Sequence, residues 1–154
     1  MISIRTEGVD RVADALQAVT HGLEDLRPFW PAVTTLWGGW MRQQFGSEGG
    51  WGGAAWAGLA PSTIAQKAAD GYGSAGILVR TGTMRNAATA PARAAGATTL
   101  VLTIEDDKVS YHQDGTTKMV ARPIIPPVLP GSAQAQLVQA ADDYIDELLA
   151  RWGV

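Results

Sequence analysis

Residues 111–127 constrain the fold more than any other stretch of the chain. Four prolines lie between residues 123 and 130, and each one fixes φ, removes a backbone donor and pushes its predecessor toward extended geometry. No helix can run through such a stretch. We therefore predict an extended segment that follows a strand-like region and precedes a helix. The segment holds no catalytic cluster, which favours a role in assembly over chemistry.

The length of 154 residues indicates a single domain over residues 1–154. The chain is 46% hydrophobic and 18% charged, as globular proteins are, and its net charge of −3 gives no overall reason to expect tight binding to nucleic acid. The absence of cysteine excludes disulfides, thiolate metal sites and cysteine nucleophiles. We expect no secretion signal and no membrane span, since no stretch approaches the ~18 apolar residues that a span needs.

Two helices are predicted near the N-terminus. In residues 9–26, apolar side chains recur at alternating spacings of three and four, which predicts an amphipathic helix with one face on the core. That face comprises Val9, Val12, Leu16, Val19, Leu23 and Leu26. A second helix is expected to begin near Pro28 and Pro31, because proline is tolerated in a first turn. Its apolar face comprises Val33, Leu36, Trp37, Trp40, Met41 and Phe45, and the two helices form an antiparallel or angled pair.

Residues 46–60 contain six glycines and are predicted to form a long loop. A purely flexible linker would not carry Trp51 and Trp56. We therefore expect these side chains to anchor the loop, on its own domain or on a neighbour. A phosphate-binding loop is the alternative, but the Gly-Lys-Ser/Thr ending of such loops is missing.

The middle of the chain is less patterned. A short helix is expected to begin at Pro61 and to end near residue 69, before the glycines of residues 70–74. Residues 77–79 form a short apolar run, and residues 80–85 look like a turn into another brief element. Residues 87–97 are rich in alanine and show no clear period.

A small antiparallel sheet is predicted next. Residues 98–104 are rich in β-branched side chains and predict a strand, with residues 109–111 as its hairpin partner across a polar turn. Residues 118–125 are expected to add a third strand at an edge, because Pro123 cannot donate to a central ladder.

A final helix is predicted over residues 132–152, with Ser132 as its N-cap. Its apolar face comprises Leu137, Ala141, Ile145, Leu148 and Trp152. An extended arm over residues 114–131 connects this helix to the sheet. The predicted class is therefore α+β, with an N-terminal helix pair, a small antiparallel sheet, long Gly- and Pro-rich loops and a C-terminal helix.

The sequence offers little that could act as a catalytic or metal site. His21 is expected on the polar face of the first helix. Ser110, His112 and Asp114 could share one face of an extended segment, but side chains two residues apart do not form a nucleophile–base–orienter triad. The acidic residues 105–107 are expected to be solvated, since no EF-hand spacing is present. We predict no catalysis and no cofactor.

Four pieces of sequence follow one another between residues 44 and 125 in an order typical of a known family. They are QF before the Gly-rich loop, WAGLAPST with Lys67, ILVRTGTMR, and HQDG followed by ARP. Together they resemble the phage virion-morphogenesis proteins, which include the tail-completion proteins of P2-like and Mu-like phages. Val120 stands where many members have a proline, and Ile124-Ile125-Pro126 replaces an aromatic-leucine-glycine run.

The segment GTTKM is also similar to neck and tail-terminator proteins of HK97-like phages, so the neck, tail-completion and tail-terminator roles all stay open. The resemblance implies a non-enzymatic virion protein at the head–tail junction, assembled in the host cytoplasm into a hexameric ring around the DNA channel. Its neighbours would be head-closure or connector proteins and tail-terminator or tail-tube proteins, with genomic DNA passing through the lumen without sequence-specific binding.

From these features we expect two sets of interacting residues. The subunit interface is expected to involve Trp51, Trp56, Lys118, Met119, Arg122 and Pro123. Arg80 and Arg85 are expected to face the DNA channel. Replacing Arg122 with alanine separates an interface role from a purely local brace.

The alternative is a small DNA-binding module. It would contact phosphates through Arg80, Arg85, Arg93, Lys118 and Arg122. A gel shift that depends on salt would distinguish it from the structural role.

Overall fold

The computed structural model describes residues 9–151. Within that range the chain forms six α-helices and one two-stranded antiparallel sheet, so the predicted α+β class is confirmed. The elements are α1 (Val9–Glu24), α2 (Trp30–Gly46), α3 (Pro61–Ala69), α4 (Thr83–Thr89), β1 (Ala92–Ala95), β2 (Leu100–Thr103), α5 (Lys108–Asp114) and α6 (Gly131–Ala150), with a 3₁₀ turn at Gly50–Gly52.

Helix α2 lies at the centre of the core. Its first turn carries Pro31, as predicted, and its apolar face is buried at Trp40, Met41 and Phe45. The core comprises Trp40, Met41, Phe45, Trp56, Met84, Ala88, Ile124 and Ala133. Helix α4 packs closely at Gly38, where a Cβ would stand 2.8 Å from the carbonyl oxygen of Thr89. A larger residue at this position would push the two helices apart.

Helix α6 packs on α2, and α1 packs on α6. Trp40 Nε1 donates to Gln136 Oε1 at 2.7 Å, which ties α2 to α6. At the other contact, Gly22 leaves room for Leu148, and the Tyr144 hydroxyl donates to the Gly22 carbonyl at 3.2 Å. Small residues and one hydrogen bond therefore hold α1 in place.

The prediction that the apolar stripe of the first helix faces the core is wrong for three of its six residues, whereas Val19 and Leu26 are half-buried. Val12 is 56% exposed and Leu16 is 64% exposed, whereas Ala15 and Ala18 are buried. Leu23 is also exposed, and the side chain of Val9 lies outside the described residues. The helix ends at Glu24, two residues before the predicted end. Because α1 is held at a small-residue surface, its larger side chains turn outward.

The predicted strand at residues 98–104 is present as β2, but its predicted partner is wrong. Residues 109–111 belong to α5, and β2 pairs instead with β1, from Ala92 opposite Thr103 to Ala95 opposite Leu100. The turn between the strands is bonded to the start of α2, since Trp30 Nε1 donates to the Gly96 carbonyl at 2.8 Å. The alanines of β1 had given no β-strand signal.

The third predicted strand, residues 118–125, is not a strand. Only one isolated bridge occurs near it, between Thr116 and Met119. The extended geometry predicted for residues 111–127 begins after α5, because residues up to Asp114 are helical. From Gly115 to Pro130 the chain then runs without a helix to α6, and we call this segment the arm.

Two of the remaining predictions concern helix ends. Helix α3 begins at Pro61 as predicted. Helix α6 begins at Gly131 after the N-cap residue Pro130, so Ser132 lies inside the helix and is not the cap. Trp152 lies outside the described residues.

In residues 9–151, no helix has the length and hydropathy to cross a membrane.

Candidate functional site

Arg122 lies inside the protein and bonds the arm to the loop between α2 and α3. The side chain is buried. Its Nε donates to the Ala57 carbonyl at 2.8 Å, and one terminal nitrogen donates to the Gly58 carbonyl at 2.9 Å. Its backbone nitrogen donates to the carbonyl of His112 at 2.7 Å. Hydrogen bonds from a charged donor are stronger than neutral ones. Arg122 thus braces the arm against the loop within the chain, through its Nε and one terminal nitrogen.

The two loop tryptophans also anchor to their own domain. Trp56 is buried, and its Nε1 donates to the Pro123 carbonyl at 2.8 Å. Its ring meets Phe45 edge-on at 5.4 Å, and Trp51 stacks on Trp40 at 6.3 Å. We predicted that the tryptophans anchor the loop either on its own domain or on a neighbour. In the structure both side chains contact their own domain.

Two glutamine side chains act as substitutes for backbone partners. Gln44 is almost fully buried, and its amide donates to the Pro123 carbonyl at 3.0 Å and accepts from the Gly52 nitrogen at 2.8 Å. Gln113 accepts from the nitrogens of Ile124 and Ile125, each at 3.0 Å, and donates to the Ile125 carbonyl at 2.7 Å. These bonds supply what a neighbouring strand would have supplied to the arm.

The contacts of Arg122, Trp56, Gln44 and Gln113 form one connected set, which we call the loop–arm brace. The sequence had pointed to Arg122 and Trp56 as interface residues. It had not assigned a role to either glutamine, although both stand in the motifs QF and HQDG. Gln44 is a polar residue within the apolar face of α2. This position indicates a bonded role for its side chain, because buried amides need hydrogen-bond partners.

The brace fixes which side chains of the arm point outward. Arg122, Ile124 and Pro126 are buried. Val120 and Val128 are 64% and 68% exposed, and Ile125 is also exposed. Of the other predicted interface residues, Lys118 is exposed and Met119 and Pro123 are half-buried. We call the outward set Val120, Ile125 and Val128 the arm ridge.

A second brace holds the turn before α4. The ammonium group of Lys67 donates to the carbonyls of Ala75, Gly76 and Val79 at 2.7, 2.9 and 3.0 Å. Glu48 Oε1 accepts from the Ile77 nitrogen at 2.7 Å. Lys67 is the lysine that follows the motif WAGLAPST. This motif residue therefore also stabilises the fold, through its bonds to the turn.

The two arginines expected in a DNA channel lie in different surroundings. Arg80 is paired with Asp70 at 2.6 Å and lies over the ring of Tyr72, 5.5 Å from its centroid. Arg85 is exposed on α4 and lines a cleft of about 760 Å³ together with Arg42. Arg80 therefore has an intramolecular partner, whereas Arg85 faces an open cleft.

His112 does not form a hydrolytic site with its neighbours. The three residues Ser110, His112 and Asp114 lie on α5, and the Ser110 hydroxyl donates to the Asp107 carbonyl at 3.2 Å. The His112 Nδ1 atom is buried without a hydrogen-bond partner. Burial lowers the pKa of His112 below its usual value, and the charge of Arg122 lowers it further. In the part of the chain that the structure describes, no three His, Asp or Glu side chains are grouped to hold a metal ion.

Comparison with known proteins adds no relative. The sequence matches no family model, and no significant match occurs among curated proteins or solved structures. The contacts of the brace and the order of the sequence motifs are therefore the basis for assigning a function.

Proposed function

We propose that this protein is a structural component of a phage head–tail junction, of the neck or tail-completion type. It works without catalysis as one subunit of a ring around the DNA channel. A tail-terminator ring is the closest variant of this role, since the segment GTTKM is also similar to tail-terminator proteins of HK97-like phages.

The observation that carries the proposal is the arm. Its inward residues are fixed by side-chain hydrogen bonds to the loop and to α5, while Val120, Ile125 and Val128 are exposed on the same segment. An extended segment that is already rigid loses less entropy when it docks than a flexible one does. Exposed apolar side chains on such a segment favour contact with another protein of the junction.

The motifs that carry the family resemblance support the same conclusion. Trp56 and Arg122 come from separate motifs, yet both bond across the interface between loop and arm. Lys67 and Gln113, from the same two motifs, each bond to backbone groups. The motif residues that carry the resemblance thus make hydrogen bonds that stabilise the fold. This favours a structural role for the protein over a catalytic one.

A DNA-binding module has less support. Of its five suggested phosphate contacts, Arg122 is buried against carbonyl groups and Arg80 is paired with Asp70. A phosphate would have to displace both sets of bonds. The exposed residues Arg85, Arg93 and Lys118 remain, which is few for a protein of net charge −3.

The test removes the apolar character of the arm ridge without touching the brace. The variant Val120→Ser/Ile125→Ser/Val128→Ser replaces the chain in the phage or prophage that encodes it, and electron microscopy counts heads joined to tails. We expect joined particles to fall to about a tenth or less, since each buried aliphatic side chain at an interface contributes about 1.5–3 kcal/mol.

The control is Val101→Ser, which changes another exposed valine, on β2. It should leave the particle count unchanged, and thermal unfolding should be nearly the same for both variants. Normal joined particles in the absence of the whole protein would refute the proposed function. Normal joined particles with the triple variant would show that the arm ridge is not needed for the proposed function.

A further inference from the structure

Helix α6 carries a group of acidic side chains without cationic partners. Asp142, Asp143, Asp146 and Glu147 are all exposed, and none forms an ion pair within residues 9–151. The one side-chain bond in this group is accepted by Asp143 from the amide of Gln139, on the same helix. Like charges three and four residues apart on a helix repel one another, which a cation from another molecule would relieve.

The cleft between α2 and α4 carries the opposite charge. Arg42 and Arg85 line it, both are exposed, and neither forms an ion pair or hydrogen bond within residues 9–151. The one acidic residue in its wall is Glu48, whose Oε1 is engaged by the Ile77 nitrogen. Asn86 and Thr89 add polar groups on the α4 side. The cleft therefore offers two unpartnered guanidinium groups.

The acidic group and the cleft of one copy are far apart. Phe29, just before α2, contacts Tyr144 with ring centroids 5.4 Å apart, so the acidic end of α6 lies beside the start of α2. Arg42 lies near the other end of that helix, about 20 Å further along at about 1.5 Å per residue. The two charged surfaces thus cannot meet within one chain.

Two different and complementary surfaces on one chain are what a head-to-tail contact needs, and repeated head-to-tail contacts close into a ring when the rotation from copy to copy closes. On the basis of the proposed ring, we propose that the acidic face of α6 in one copy docks against the Arg42–Arg85 cleft of the next copy. Guanidinium groups bind carboxylates with two parallel hydrogen bonds, which gives such a contact direction as well as attraction.

A second copy of this chain is favoured over a DNA backbone as the occupant. The four carboxylates of α6 supply a matching set of negative groups that lack cations among the described residues.

The experiment is a charge-reversal cycle in the full-length chain. One variant is Arg42→Glu/Arg85→Glu, and the other is Asp142→Lys/Asp146→Lys. Sedimentation velocity and native mass spectrometry measure the oligomer at about 0.05 M and about 0.5 M salt. Each variant alone should self-associate about tenfold or more weakly than the wild type, as is measured for close charge pairs across interfaces.

An equimolar mixture of the two variants gives the decisive result. In a head-to-tail ring the reversed cleft of one variant faces the reversed helix of the other, and the unchanged surfaces also face each other. Alternating rings of wild-type size should therefore form again. The charge-matched control Arg93→Glu/Lys108→Glu changes two exposed residues elsewhere and should leave the oligomer unchanged.

Wild-type-like rings from each reversed variant alone, a mixture that stays dissociated, or a wild type that stays monomeric at high concentration would each overturn the inference. If Arg42→Glu/Arg85→Glu kept the ring but lost salt-dependent binding of duplex DNA, the cleft would be a phosphate site and the inference would be wrong. None of these results alone refutes the junction role, which the particle count in the absence of the protein tests separately.

Discussion

The arm and helix α1 are attached to the body of the protein by different kinds of contact. The arm is bonded through polar side chains, with the buried Arg122 and the half-buried Gln113 each reaching particular backbone atoms. Helix α1 is attached mainly through small residues against α6, such as Gly22 beneath Leu148. Hydrogen bonds fix both position and register, whereas a small-residue contact fixes position with little buried area. The arm should therefore be sensitive to single substitutions, and the exposed side of α1 should tolerate them.

The largest effect is expected for Arg122→Ala. The change removes two charge-assisted hydrogen bonds between arm and loop, so the free energy of unfolding should fall by about 2–4 kcal/mol. Urea denaturation followed by tryptophan fluorescence measures it. The control Arg85→Ala removes an exposed arginine and should change the value by no more than about 0.5 kcal/mol. Equal losses for the two variants would contradict the internal role of Arg122.

A smaller effect is expected from acid through His112. Burial first, and then the charge of Arg122, lower the pKa of His112 in the folded state, while an unfolded histidine titrates near about 6.5. Below that pH the unfolded state binds more protons, so stability should decrease as pH falls until the folded-state pKa is passed. Protonation also places a second cation beside Arg122.

Urea midpoints measured at about pH 7.5 and about pH 5.5 test this expectation. His112→Gln cannot take up the proton and should lose less stability between the two values than the wild type does. His21→Gln serves as the control, since His21 is exposed on α1. A wild type and a His112→Gln variant with the same pH dependence would show that the imidazole does not titrate as described.

The smallest effect is expected for Leu16→Ser on α1. The side chain is 64% exposed, so the free energy of unfolding should change by no more than about 0.5 kcal/mol. Leu148→Ala, in contrast, removes a buried side chain at the Gly22 contact and should cost about 2–4 kcal/mol. A loss from Leu16→Ser as large as that from Leu148→Ala would show that the stripe is covered, and the comparison between α1 and the arm would no longer hold.

The regular elements were largely predictable because local spacing determines them. The apolar period of α2, the proline at the start of α3 and the β-branched residues of β2 each gave the correct element. The period of α1 gave the helix but not its buried face, because the partner surface on α6 accepts only small residues. For α5 a signal existed in Asp106, whose carboxylate accepts from the Lys108 nitrogen at 3.0 Å in a turn just before the helix.

The loop–arm brace could not be predicted to the same extent. Its bonds join residues far apart in sequence, as from Trp56 to Pro123 and from Gln44 to Pro123. Local spacing contains no information on such pairs. The tryptophans were correctly expected to anchor the loop, since a large aromatic side chain among glycines has few other uses. Arg122 was expected at an interface between chains, because sequence alone does not distinguish a backbone carbonyl of the same chain from a group on another.

The brace also limits how the length of the arm can change over evolution. Arg122 is bonded to the loop, and only two residues later the backbone of Ile124 is bonded to Gln113. An insertion or deletion between these two anchors would break one set of bonds. Beyond the buried Pro126, the exposed residues Pro127 and Val128 carry no such bonds among the described residues. Related chains should thus keep a constant spacing from the arginine to the second isoleucine, while gaps accumulate just before the C-terminal helix.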